Sequence, residues 1–154
     1  MIHFERTFDY DLVRNIITHP AIYSHVCDDG CPTADKFQPI TSDSIWYVLV
    51  KDDTELLGMF TFIPQNCATV EVHTTLFPIS WGKRSHLAAK LVADWVWKNT
   101  PFVRIVTNVP SFNRIALRFA QLADMKQFGI NEKSYRKDGE LFDQIMLGMS
   151  KPCQ

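Results

Sequence analysis

Near the middle of this chain the pattern of apolar residues changes from short strand-length runs to a helical repeat, and that change decides most of what the chain can fold into. Three apolar runs of strand length come first, Ile45 to Val50, Leu56 to Ile63 and Thr69 to Phe77. Asp52-Asp53-Thr54 and Pro64-Gln65-Asn66 separate them with turn-forming residues, which predicts an antiparallel meander. Past Pro78 and the polar segment Ser80-Trp81-Gly82-Lys83-Arg84-Ser85, Leu87, Leu91, Val92 and Trp95 fall on one helical face. Lys90, Asp94 and Lys98 form an outward row on the same helix. Val103 to Thr107 is predicted as a strand, and a second helix should turn Ile115, Phe119 and Leu122 inward. Two closing strands, around Lys126 to Ile130 and Leu141 to Met149, flank a turn at Asp138-Gly139. A right-handed strand-helix-strand crossover after the meander makes Thr69 to Phe77 and Val103 to Thr107 a parallel pair. The expected fold class is α/β: a mixed, twisted sheet of about six or seven strands with helices on both faces.

Upstream, Ile2 to Phe8 alternates, with Ile2, Phe4, Arg6 and Phe8 on one side, and reads as a short strand with Arg6 near an edge. Asp9 supplies helix-start chemistry before Leu12, Ile16 and Ile17. Pro20 interrupts that helix, and a second short helix is expected from Ala21 to Val26. Cys27 to Ser44, with Gly30, Pro32 and Pro39, reads as a long loop, and loops of that length are commonly functional. The 154 residues suit one domain, 1–154, and 46% apolar with 21% charged residues suits a soluble globular chain. Sixteen basic against seventeen acidic residues argue against a nucleic-acid partner. No apolar run reaches the roughly 20 residues of a membrane span, and no export signal opens the chain. A cytoplasmic location, without membrane attachment, is expected.

His25, Cys27, Asp28, Asp29 and Cys31 gather metal-capable groups, but Cys-x-x-x-Cys is not the close-paired zinc spacing and a fourth ligand is missing. The reading is a loop with two thiols and no metal. Four tryptophans and eleven phenylalanines fill a core or mark a face for a protein partner or homo-oligomer. On the third meander strand, Glu71, His73 and Thr75 share a polar face, with Glu71 and His73 about 7 Å apart. Either simple solvation or a general base fits that pair. As a base, Glu71, acting through water, is the first candidate, because Val70 and Val72 should partly desolvate it and raise its pKa. His73 is the rival.

The element order, with the residues at its joints, resembles the GCN5-related N-acetyltransferase (GNAT) superfamily. Val109-Pro110-Ser111-Phe112-Asn113-Arg114-Ile115-Ala116 looks like that family's strand-to-helix joint. Asp124-Met125 stands where a Gly-Phe step ends the helix, and Asp tolerates the left-handed conformation. Asp138 to Gln144 is similar to the closing hairpin of the branch that acetylates protein N-termini. The resemblance implies a V-shaped splay between the two parallel strands, with acetyl-CoA lying in it. Its pyrophosphate would sit over Gly82, Lys83, Arg84 and Ser85, and its thioester near the strand end at Leu76 and Phe77. Asn113 would bond the coenzyme arm or simply cap its helix. Of the family's phosphate-loop glycines only Gly82 is retained, so Lys83 and Arg84 either replace them by direct bonds to phosphate or are solvated cations. The tyrosine many members use as acid falls at Ala120, and no substitute stands out. The resemblance implies an acetyl-CoA-dependent N-acetyltransferase for a small amine or a protein N-terminus. The acceptor would lie between the first helices and the Cys27 to Ser44 loop. The alternative is an inactive fold relative of the kind encoded by bacteriophages, serving virion assembly or host interaction.

Overall fold

The computed structural model describes residues 1–153. Seven strands form one sheet in the order β1-β2-β3-β4-β5-β7-β6. The chain runs β1 (Ile2–Thr7), α1 (Tyr10–Ile17), α2 (Tyr23–Val26), β2 (Trp46–Asp52), β3 (Glu55–Pro64), β4 (Thr69–Leu76), α3 (Lys83–Asn99), β5 (Arg104–Pro110), α4 (Arg114–Leu122), β6 (Lys126–Lys137) and β7 (Glu140–Ser150). The meander β2-β3-β4 is antiparallel as the turns require, and β1 adds to its outer edge. On that edge the Arg6 guanidinium lies 4.0 Å from the Trp46 ring centroid and 4.7 Å from that of Phe8. Asp9 caps α1 by accepting the Leu12 N–H at 3.0 Å. The expected second helix, Ala21 to Val26, is shorter and holds only Tyr23–Val26.

The parallel pair between β4 and β5 is the feature on which the site depends. It holds for three residue pairs, Thr69↔Arg104, Val70↔Ile105 and Glu71↔Val106, and then stops. Beyond it the strands are bridged by one side-chain bond, from Thr107 Oγ1 to the Val72 carbonyl at 3.2 Å. β7 pairs β5 along its whole length, Arg104↔Ser150 to Pro110↔Gln144, so β5 follows β7 while β4 follows β3. Two well-paired halves with little between them open as a V.

Two hydrophobic clusters lie on opposite faces. One packs α3 and α4 on Val48, Val50, Phe60, Phe62, Val70 and Ile105; the other packs α1 on Tyr47, Leu49 and Met59. The predicted core face of α3 is corrected here. Ser85, Ala88, Ala89, Val92, Ala93 and Val96 are buried, whereas Leu87 is 49% exposed. Small side chains let the helix approach the sheet closely; of the predicted face, Val92 is buried and Trp95 packs against the core, Leu91 is half-buried, and Leu87 alone is turned aside. In α4 Ala120 takes the buried position, and Ile115, expected inside, is 86% exposed. The closing strands are longer than expected, because Lys133 at φ 48° sits in a bulge that breaks their alternation. The turn between them is Asp138-Gly139, both at positive φ, as in a tight hairpin. Asp124 does adopt the left-handed conformation, at φ 64°. Among the described residues, no helix is long and apolar enough to cross a membrane.

Candidate active site

A cavity of about 470 Å³ occupies the splay. Its lining takes Val72 and Thr74 from one side of β4 and Glu71, His73 and Thr75 from the other, so it passes through the sheet where pairing has stopped. Towards α3 and α4 it is walled by Ala89, Val92, Asn113 and Ala116, and towards the first helices by Cys27, Phe37, Ile40 and Tyr47. The Cys27 to Ser44 loop thus forms one mouth. Arg14 holds that loop, donating to the carbonyls of Phe37 at 2.9 Å and Asp35 at 3.0 Å.

Strand alternation shows which backbone groups face the gap. The Phe77 N–H donates to the Leu57 carbonyl of β3 at 2.9 Å, so the N–H groups of His73 and Thr75 also point to β3. Those of Thr74 and Leu76 then point at the gap, past the last ladder pair with β5. Trp81 Nε1 donating to the Leu76 carbonyl at 3.0 Å fits this alternation. Phe77, expected beside Leu76 at the thioester, is corrected on this ground. Its N–H is spent in the sheet, and its ring packs on His19 at 5.0 Å.

Glu71 and His73 come closer than backbone spacing alone gives, with Glu71 Oε1 3.2 Å from His73 Nε2. Gln65 Nε2 donates to the other carboxylate oxygen at 3.2 Å, and Asn108 of β5 lies beside it. The expectation of a raised carboxyl pKa is overturned. Bonding to His73, with help from Asn108 and Gln65, outweighs burial and holds Glu71 at about 2. A carboxylate that weakly basic is a poor proton acceptor. Sequence reading missed Gln65 and Asn108, since one lies in a turn and the other on a different strand.

The loop before α3 keeps its backbone donors and redirects its side chains. Gly82, at φ 94°, ψ −130°, occupies a conformation that side-chain-bearing residues rarely adopt, and the space where its Cβ would be is open. The first helical bond runs from the His86 N–H to the Gly82 carbonyl, which leaves the N–H groups of Lys83, Arg84 and Ser85 without helical partners. Ser85 is buried and donates to the Gly82 carbonyl at 2.9 Å. Arg84, expected on phosphate, instead pairs with Glu55 at 2.5 Å and Asp52 at 3.6 Å, and donates to the Ile79 carbonyl. Lys83 is exposed, with no ion-pair partner among the described residues. Asn113 caps α4, its Oδ1 accepting the Ala116 N–H at 3.0 Å, and it also lines the cavity.

All four cysteines are free thiols, and among the described residues no three His, Cys, Asp or Glu groups converge to hold a metal ion. Cys31 is pushed up to about 11, by burial first and then by Cys27, so its thiol stays protonated near neutrality.

No family model matches the sequence, and no curated protein matches it. Solved structures do match the fold. A spermidine N-acetyltransferase from Vibrio cholerae, solved with CoA and spermine, aligns with a TM-score of 0.79 at 15% identity, covering 97% of this chain and 95% of its own. A protein provisionally named phosphinothricin N-acetyltransferase aligns with a TM-score of 0.72 at 15% identity, over 99% of this chain and 100% of its own. A form of the Vibrio enzyme with manganese gives 0.71 at 13% identity, over 97% and 92%. The fold is therefore that of the GNAT acetyltransferases. These neighbours lend no support to the bacteriophage branch, the N-terminal-acetylating branch or a role in virion assembly.

Proposed function

We propose that this chain is an acetyl-CoA-dependent N-acetyltransferase acting on an amine, with His73 rather than Glu71 as the base. The observation that carries this reading is the cavity through the splayed sheet. It joins the β4 gap to the polar face that bears the Glu71–His73 pair. The residues present fit the coenzyme. Free N–H groups at Lys83 to Ser85, beside the open space at Gly82, suit a pyrophosphate. The gap-facing N–H groups of Thr74 and Leu76 suit a thioester oxygen. Acetyl-CoA, when bound, supplies the activated acetyl group.

The chain's own residues do the rest. Nε2–H of His73 donates to Glu71, which fixes the tautomer and leaves Nδ1 with its lone pair for an amine proton. Glu71, held by Gln65 and Asn108, stays ionised and stabilises the imidazolium as it forms. Thr74 and Leu76 offer fixed donors where negative charge develops.

Calorimetry with CoA and a thiol-release assay with acetyl-CoA and amines test the reading. Lys83→Ala should weaken CoA binding by about threefold to tenfold, the loss of one charge-assisted phosphate bond. Arg84→Ala should leave it within about twofold, because that guanidinium is committed to an exposed ion pair. No heat and no thermal shift at millimolar CoA would refute acetyl transfer.

A further inference from the structure

We infer that the acceptor is a monoamine on an apolar body, and neither a polyamine nor an amino acid. The inference rests on the acetyl-transfer reading and names the substrate class of the same site. Among the described residues, Glu71 is the only carboxylate that lines the cavity, and no lysine or arginine lines it. The acceptor half is otherwise mostly apolar, with Ile17, Val26, Phe37, Ile40 and Ile63 on its walls beside Tyr47 and His25. Such a site has one place for one ammonium group.

The charges around the mouth are turned elsewhere. Asp28 accepts the Gly30 N–H at 2.9 Å. Both oxygens of Asp29 accept backbone N–H groups of the β6–β7 turn, from Asp138 and Gly139 at 2.8 Å each. Neither carboxylate lines the cavity. On the cationic side, Arg14 is spent on loop carbonyls, and Lys137 donates to the carbonyls of Ser24 at 2.8 Å and Cys27 at 2.6 Å. An α-carboxylate would therefore enter a cavity with no lysine or arginine among the described residues to meet it and with Glu71 to repel it. An unpaired charge in an apolar enclosure is strongly disfavoured whichever its sign. The loop that makes this wall is itself fixed, because the Asp29 and Lys137 bonds strap it to the β6–β7 hairpin.

Matched amine pairs test this with the full-length chain. 2-Phenylethylamine against phenylalanine adds only a carboxylate, and butylamine against 1,4-diaminobutane adds only a second ammonium. In the thiol-release assay the first of each pair should exceed the second in kcat/KM by about a hundredfold or more, the scale of a buried unpaired charge. Gln38→Glu, which puts a second carboxylate on the exposed loop lining the mouth, should narrow the diamine gap at least about fivefold and hold or widen the carboxylate gap. A readout without turnover is the thermal shift of the CoA-loaded protein, which the two monoamines should raise and the diamine and amino acid should not. Preference for the diamine, for spermidine or for phenylalanine overturns the inference and leaves acetyl transfer standing. CoA bound with no shift from either monoamine also overturns it. Failure to bind CoA at all is a failure of the acetyl-transfer reading instead.

Discussion

Replacing Glu71 with Gln removes one negative charge 3.2 Å from His73 Nε2 while keeping the shape and the hydrogen-bonding atoms. When His73 accepts a proton it becomes a cation. At that separation its attraction to a carboxylate lies between about 1 kcal/mol in water and about 5 kcal/mol at an effective dielectric constant of about 20. The two side chains are 51% and 21% exposed, so the lower part of that range applies. About 2 kcal/mol corresponds to a loss of about thirtyfold in turnover. The assay is thiol release at saturating amine, since kcat reports ionisations in the loaded complex. With His73 as the base, wild-type turnover should fall as the pH is lowered, since a protonated imidazole cannot accept the amine proton. Glu71→Gln should keep an acid limb at about one-thirtieth of the activity, and His73→Gln should lose about a hundredfold or more. Glu71, held at about 2, cannot produce an acid limb near neutrality. A flat wild-type profile, or a fully active His73→Gln enzyme, would refute the assignment.

The same carboxylate makes stability pH-dependent. Its pKa is depressed from 4.5 to about 2 on folding, so its contribution, about 3 kcal/mol, is present above about pH 4.5 and lost as pH falls toward 2. Urea midpoints of wild type and Glu71→Gln should converge over that interval; parallel curves would show that the depression is absent. Gly58→Ala should lose more than about 3 kcal/mol by thermal melting, because its Cβ would lie 2.3 Å from the Thr75 carbonyl oxygen at a φ of 134°. A variant with near-native stability would show that β3 and β4 approach less closely than this.

The sheet was legible because apolar runs bounded by turn residues are local signals, and β2 and β3 are buried on both faces as such runs imply. The phase of α3 was not. Leu87 and Leu91 look like core, yet the helix lies over the crossover, where only Ala88, Ala89 and Ala93 permit close approach. β6 looked finished at Ile130 because the Lys133 bulge shifts the register that alternation relies on. At the site, the Glu71–His73 pair was legible as a two-residue spacing on one strand. Its electrostatic sign was not, because Val70 and Val72 indicate burial while Gln65 and Asn108, which fix the outcome, arrive from elsewhere in the fold. The commitment of Arg84 to Asp52 and Glu55 was hidden for the same reason: the β2–β3 turn reaches α3 only in three dimensions.

That commitment also explains how a loop stripped of its later glycines can still suit a phosphate. What a pyrophosphate needs at a helix start is unpaired N–H groups and room to approach them; glycine is one way to supply the room. Side chains that leave the approach path are another. Here Arg84 leaves toward Asp52 and Glu55, and Ser85 folds back onto the Gly82 carbonyl. Gly82 is kept where positive φ demands it, with open space before it. Exposed ion pairs contribute little to stability, about 1 kcal/mol or less, so the Arg84 bridge is better understood by where it holds the side chain than by its strength. Severing it by Glu55→Ala should leave the melting temperature nearly unchanged but free a cation beside the loop. CoA affinity should then hold or rise, and a clear fall would show that Arg84 had not left the approach path.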